Sequence, residues 1–118
     1  MKKAYIVAGC RDFTDYGYLS RKLDAIISGE AVIFSGCANG CDLMGERYAA
    51  ERGLPVRRFP PLWERYGRGA GVVRNEQMAE SALPNGMLIA FWDGKSRGTE
   101  NMIKTAEKRG LFVTVIKI

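Results

Sequence analysis

The sequence predicts an α/β chain built on a parallel sheet. Five short apolar runs, at residues 4–8, 31–35, 56–59, 87–92 and 112–116, are mostly continuous in apolar character, with little strict alternation. Strands covered on both faces require such runs. Segments of helical period lie between them, which argues for βαβ units with right-handed crossovers.

In chain order, the first run leads to a helix predicted at residues 18–28, where Leu19, Leu23, Ile26 and Ile27 share one face and Gly29 stops it. After the second run, Leu43, Met44, Arg47 and Tyr48 open a second helix, which ends at Gly53-Leu54-Pro55. The third run gives way to residues 60–73, rich in proline and glycine. Loops of that length in a compact domain are usually functional or disordered. This one reads as a flexible cover over a ligand site, or as an ordinary crossover with part of a short helix near 62–66. A third helix is expected at 74–83, ahead of Pro84-Asn85-Gly86, and a last one at 99–109 with Met102, Ile103 and Ala106 inward.

Length and composition bound the reading. With 118 residues and 47% apolar content, the chain has material for one core, so a single domain over 1–118 is expected. No apolar run nears the roughly 20 residues that cross a bilayer, and Met1-Lys2-Lys3 passes straight into a strand-like run, so a cytoplasmic protein without membrane contact is expected. Three cysteines, Cys10, Cys37 and Cys41, lack disulfide or zinc-knuckle spacing and read as reduced packing residues. The chain has no histidine, which removes Ser-His-Asp triads, Cys-His dyads and His-ligated zinc. No metal cluster is visible. A net charge of +5 favours anionic partners, without separating nucleotide from nucleic acid.

The chain also nearly repeats itself. An apolar run, Gly-x-x-x-Gly-x-acid-x-Met and a helix ending in Arg-Gly-Leu occur once through Gly36, Gly40, Asp42, Met44 and Arg52-Gly53-Leu54. They recur through Gly94, Gly98, Glu100, Met102 and Arg109-Gly110-Leu111. A glycine-rich turn between strand and helix aims unpaired amides outward at the positive end of the helix dipole, and two such turns suggest a phosphate site. Neither turn has the Gly-x-Gly-x-x-Gly spacing or a Gly-Lys-Ser/Thr end, so no dinucleotide or P-loop cofactor site is predicted.

Ligands of open parallel sheets bind at the carboxyl ends of the strands, and the unusual clusters fall there. The candidate ligand-binding residues are Gly9, Arg11 and Asp12 after the first strand, and Ser35, Gly36, Asn39, Gly40 and Asp42 after the second. Arg74 and Asn75 open the third helix; Gly94, Gly98 and Thr99 follow the fourth strand. Arg11 and Arg74 offer planar forks for phosphate, or are plain surface arginines. Asp12 orients Arg11 or accepts from a ribose hydroxyl. Ser35, Asn39 and Thr99 suit phosphate or ribose oxygens; Thr99 and Asp42 equally serve as helix-cap or first-turn residues, with Asp42 then facing solvent. Trp63 and Trp92 are candidates to stack on a base, Trp92 more readily filling the core rim.

Together these loops resemble the SLOG superfamily, which groups DprA/Smf DNA-processing proteins, Lonely Guy phosphoribohydrolases and small YspA- or cpYpsA-related domains. The likeness to the small YspA-like domains is carried by Gly9-Cys-Arg-Asp12, Gly36-Cys-Ala-Asn-Gly-Cys-Asp42, Arg74-Asn-Glu-Gln-Met78 and Gly94-Lys-Ser-Arg-Gly98-Thr99. The resemblance implies a Rossmann-like three-layer αβα sandwich, with a five-stranded, mainly parallel sheet of order 3-2-1-4-5, that binds nucleotides or nucleotide-derived ligands. Lonely Guy enzymes end Pro-Gly-Gly-x-Gly-Thr-x-x-Glu in a glutamate and carry an upstream arginine in Arg-x-x-x-Met. Arg74, Met78, Gly98 and Thr99 fit, but Met102 stands at the glutamate position. A thioether neither carries charge nor exchanges a proton, and Glu100, about 200° around the helix, does not substitute.

The leading expectation is therefore binding or sensing of a nucleotide or nucleotide-derived small molecule. An alternative is a nucleoside-monophosphate N-glycosidase, with Arg74 on the phosphate and Asp42, Glu76 or Glu100 as carboxylate. A further alternative is single-stranded DNA binding through a basic surface at Arg57, Arg58, Arg65 and Arg68. A domain of this size can also form a homo-oligomer through helices or sheet edges, although no stripe in the sequence marks the surface.

Overall fold

A computed structural model describes residues 2–118. Strand β1 (Lys3–Gly9) is followed by α1 (Tyr16–Ile26), β2 (Ala31–Ser35), α2 (Cys41–Arg52) and β3 (Val56–Arg58). Then come α3 (Trp63–Tyr66), a 3-10 turn at Gly67–Gly69, α4 (Ala70–Ser81), β4 (Met87–Trp92), α5 (Arg97–Lys108) and β5 (Phe112–Lys117). All five strands pair in parallel in the order β3-β2-β1-β4-β5. The parallel α/β architecture is that expected from the sequence pattern, and the strand order is the one the family resemblance implies.

Alternate residues of the central strands feed two separate cores. Tyr5, Val7, Ile33, Ile89 and Phe91 meet Leu19 and Leu23 of α1 and Tyr48 and Ala49 of α2 on one face. On the other, Ala4, Ile6, Ala8, Leu88 and Ala90 meet Met78, Ala79 and Ala82 from α4 and its C-terminal cap, and Met102, Ile103 and Ala106 of α5. The second face is built largely from alanine, which lets α4 and α5 lie close to the sheet. Gly45 does the same for α2, because a Cβ there would fall 2.9 Å from Val7 of β1.

The helices start earlier than the sequence predicts, for local reasons. Asp15 caps α1 by accepting from the Tyr18 amide at 3.0 Å, and the chain turns extended at Ile27, before Gly29. In α2, Leu43 and Arg47 are exposed, and the buried side is Cys41, Asp42, Gly45, Tyr48 and Ala49. Close approach to β1 selects the small residues over the larger apolar ones. Residues 60–73 match the second reading, a crossover with a short helix near 62–66, and Pro61 and Trp63 lie at the carboxyl edge of the sheet. They carry α3, the 3-10 turn and the first turn of α4, where Ala70 is fully packed. Ser96, not Thr99, caps α5. The two outer strands depart from the double-sided pattern, since every residue of β3 and two large apolar residues of β5, Phe112 and Val115, are exposed.

Phe91 is wholly buried in β4, whereas Phe112 is 63% exposed on the edge strand. Phe91→Ala is expected to lower unfolding free energy by about 3–5 kcal/mol, and Phe112→Ala to change it by no more than about 0.5 kcal/mol. Urea midpoints of the two variants check this. Similar losses in both would contradict the assignment of the central and edge strands.

Candidate functional site

The strand order reverses at β1, so β2–α2 and β4–α5 leave their strands in opposite directions from a common centre. The crevice between them, at the carboxyl ends of β1 and β4, is where such sheets hold ligands. A cavity of about 340 Å³ opens there. Gly9, Arg11, Asp12, Asp42, Arg74, Asn75, Gly98 and Thr99, from four segments of the chain, all line it. A second hollow of about 230 Å³ adjoins it, lined by Gly36, Cys37, Asn39, Pro61 and Trp63, and shares Arg11, Ala38 and Arg74 with the first.

Arg74 joins the two halves of the site. From the second turn of α4 its Nη1 donates to the Gly36 carbonyl, and its Nε donates to Asn75 Oδ1 at 2.9 Å. Asn75 is buried and is itself held by donating to Asn101 Oδ1 at 2.8 Å. The guanidinium plane is thus positioned from both sides. Burial lowers its pKa and the nearby Asp42 opposes that. The ion pairs of the molecule lie elsewhere, as in Arg52–Asp24, Arg58–Glu46 and Arg109–Glu76. Among the described residues, neither Arg11 nor Arg74 is neutralised by a carboxylate within ion-pair distance.

The β2–α2 turn is shaped by contact with the β1–α1 loop. Gly40 has φ +76°, and any side chain there would collide with the Cys10 and Arg11 carbonyls. Cys37 adopts φ +69° without being glycine, an uncommon backbone state. Its amide donates to Ser35 Oγ at 3.1 Å, and the Ala38 amide donates to Asp42 Oδ2 at 3.2 Å. Asp42 is only 6% exposed, which corrects the alternative that it faces solvent. Burial pushes its pKa up to about 6, while the Ala38 amide and the Arg74 guanidinium act in the other direction.

The β4–α5 turn closes on itself. Asp93 Oδ1 accepts from the Lys95 and Ser96 amides, both at 2.8 Å, and these bonds hold its pKa below the usual range. Ser96 Oγ accepts from the Thr99 amide and contacts Thr99 Oγ1 at 3.1 Å. Trp92 is half-buried against the α4–α5 core and donates from Nε1 to the Ser96 carbonyl.

Three candidates lie apart from the two hollows. Ser35 is fully buried and donates to Glu46 Oε2 at 2.5 Å; Gly94 forms the tip of its turn at φ +83°. Gly40 borders a shallow outer depression with Arg11 and Met44. Of the carboxylates considered for catalysis, Asp42 lines the cavity, whereas Glu76 is bound to Arg109 and Glu100 points toward Lys104. Met102 is 1% exposed and forms part of the wall. Asp93 and Ser96 also line the cavity, beyond the candidates read from the sequence, as does Met78 of the Arg74-x-x-x-Met78 pattern. The pattern Ser96-x-x-Thr99 before a helical run was the readable signal for Ser96. Cys10 and Cys41 are packing residues as expected, buried at the base of the loops with raised pKa values, Cys41 to about 12. Cys37 instead borders the outer hollow.

Fold and crevice together define a Rossmann-like parallel α/β protein whose loops converge at the topological switch point. The chain belongs to the YspA, cpYpsA-related SLOG family, whose model matches residues 5–66. It is similar to the Gene 61 protein of Mycobacterium phage D29, with 34% identity over 89 residues that cover 70% of this chain and 68% of the phage protein. Its fold matches the X-ray structure of DNA processing protein A (DprA) from Streptococcus pneumoniae with a TM-score of 0.71 at 21% identity. That match covers 98% of this chain and 50% of the DprA chain, so the present chain spans about half that protein's length. Among the described residues no helix is long and apolar enough to cross a membrane.

Asp42 makes stability depend on pH in a defined direction. Its folded pKa of about 6 lies above the ordinary 3.8, so the native state binds the proton more tightly. Its favourable contribution is complete below about pH 4 and is lost as pH rises through 6. Asp42→Asn is expected to lack this loss, on the order of 2–3 kcal/mol between the two limits. Unfolding free energies of both proteins from pH 4 to 8 measure it. A wild type that gains on the variant as pH rises through that window would show the opposite sign.

Proposed function

We propose that this chain binds or senses a nucleotide or nucleotide-derived ligand in the crevice at the carboxyl edge of its sheet. The observation that carries the reading is the convergence of Arg11 and Arg74, free of carboxylate partners, on a cavity at the switch point of a SLOG-family fold. Guanidinium forks match phosphate geometry, and the partly dry crevice strengthens that attraction over its value in water. The cavity volume falls at the low end of the range for small-molecule sites.

Binding is better supported than N-glycosidase chemistry. The wall position that would need a carboxylate is Met102, Glu76 is bound to Arg109, Glu100 points toward Lys104, and Asp42, which does line the cavity, is held by the Ala38 amide. The likeness to DprA raises DNA as a ligand, but two arginines of the basic surface are occupied: Arg58 pairs with Glu46, and Arg57 lies over the Phe34 and Phe59 rings. We further read the chain as one folded unit over its whole length, acting without a resident cofactor.

A thermal-shift screen of ribonucleoside monophosphates, ADP-ribose, NAD and cyclic nucleotides tests the proposal. A ligand at 100 times its Kd adds about 2.7 kcal/mol of stability. Arg74→Ala is expected to weaken the bound nucleotide about 10- to 100-fold, the value of a charged hydrogen bond. No shift with any member of the panel, or unchanged affinity in Arg74→Ala, would overturn it.

A further inference from the structure

The crossover from β3 to α4 leaves apolar side chains and unpaired arginines together on the surface, outside the crevice. We propose that α3, the 3-10 turn and the first turn of α4 form a docking face for an acidic segment of another protein, one that carries apolar side chains between its carboxylates.

Residues 63–69 fold into α3 and the 3-10 turn without burying a side chain. Short helical turns draw their stability from packing of an apolar face, yet the apolar groups here point to solvent. Five of the nine large apolar side chains exposed among the described residues, Val56, Leu62, Trp63, Tyr66 and Val72, fall within residues 56–72, and Trp63 is 53% exposed. Single exposed apolar residues are ordinary, whereas a cluster marks a surface that meets a partner. Because α3 packs against both the 3-10 turn and α4, this cluster is compact in space as well as in sequence.

Charge accompanies it. Residues 56–73 carry four arginines and one glutamate, Glu64, so this stretch holds three of the five net positive charges of the chain. Arg57 lies over the Phe34 and Phe59 rings, and Arg58 pairs with Glu46. Among the described residues, Arg65 and Arg68 have no carboxylate within ion-pair distance. Arg65 instead sits over the Tyr66 ring, 5.4 Å from its centroid, which holds a guanidinium beside the apolar cluster. Exposed aromatic rings with free arginines are the composition that protein interfaces enrich.

Complementarity selects the occupant. A second copy would bring the same positive face, and many of its carboxylates are already paired, Asp24 with Arg52, Glu46 with Arg58, Glu51 with Arg47 and Glu76 with Arg109. Like faces repel. A nucleic-acid strand is held by a track of cations and flat rings, but two free arginines make a short track, and Leu62 and Val72 offer no plane for a base. Bilayer surfaces are met by longer amphipathic helices than the single turn of α3. Two or three carboxylates beside apolar side chains match what remains, two guanidiniums beside Leu62, Trp63, Tyr66 and Val72.

A random-peptide display library panned on the full chain tests this without any nucleotide, and fluorescence anisotropy measures the affinity of the enriched peptides. Those peptides are expected to combine Asp or Glu with apolar residues. Trp63→Ala is expected to weaken them at least about tenfold, and Arg65→Glu combined with Arg68→Glu at least about fivefold. Phe112→Ser, on the opposite edge strand, should change affinity less than about twofold, and urea midpoints verify that each variant folds. A peptide with Lys in place of its carboxylates should regain affinity for the doubly reversed variant. No enrichment of acidic peptides, or binding that survives the substitutions on the face, would overturn the proposal. Binding of oligothymidylate or of phosphatidylglycerol vesicles, or self-association in sedimentation, that replaces peptide binding and is lost in the same variants would assign the face to another occupant and overturn it as well.

Discussion

Three backbone segments meet at the carboxyl end of β1 with almost no space between them, and the geometry of the crevice follows from that crowding. A side chain at Gly9 would strike the Phe91 carbonyl and the Cys41 sulfur, and one at Gly40 would strike the Cys10 and Arg11 carbonyls. The β1–α1 loop is thereby pressed against the start of α2 on one side and the end of β4 on the other. Cys10 and Cys41 reinforce the contact, with the Cys10 amide donating to the Phe91 carbonyl and the Cys41 amide to the Cys10 carbonyl. With no slack there, Arg11 and Asp12 project over the crevice from a rigid base.

Arg74 extends this organisation across the sheet. It comes from α4, which packs on the opposite face from α2, yet it donates to Gly36 at the start of the β2–α2 turn. A Cβ at Gly36 would come within 2.8 Å of both Arg74 Nη1 and Asp42 Oδ2, so glycine leaves room for a guanidinium and a carboxylate that oppose one another without a direct ion pair. Each offsets part of the other's desolvation. A buried charge left alone would cost far more. The result is a polar crevice in which no buried side-chain polar atom of the described residues lacks a partner.

The same motif is held by different acceptors at its two occurrences. Gly36–Gly40 and Gly94–Gly98 both follow interior strands next to β1; the first ends at the cap of α2 and the second runs into the first turn of α5, each helix being 12 residues long. In one turn the Cys37 and Ala38 amides go to Ser35 and Asp42; in the other the Lys95, Ser96 and Thr99 amides go to Asp93 and Ser96. Similar spacing gives similar backbone routes, and a few side-chain acceptors decide what each turn has left to offer. The family match reaches from residue 5 to residue 66, and so includes the first turn but not the second.

What the amino-acid order determined alone is the alternation of strands and helices, the parallel sheet and the clustering of polar, glycine-rich loops at its carboxyl edge. Those features are local: apolar runs, helical periods and turn residues act within a few positions of themselves. Helix starts were less legible, since Asp15 and Ser96 act through single hydrogen bonds to Tyr18 and Thr99 that periodicity does not register. Within residues 60–73 the short helix near 62–66 was legible, whereas the start of α4 at Ala70, four residues ahead of the expected 74, rests on a packed site. Only the tertiary structure decided that Asp42 is buried, that Ser35 faces Glu46, and that Arg74 reaches Gly36, 38 residues away. Burial and hydrogen-bond partners across such separations depend on where the layers bring distant segments together, and no spacing along the chain records that.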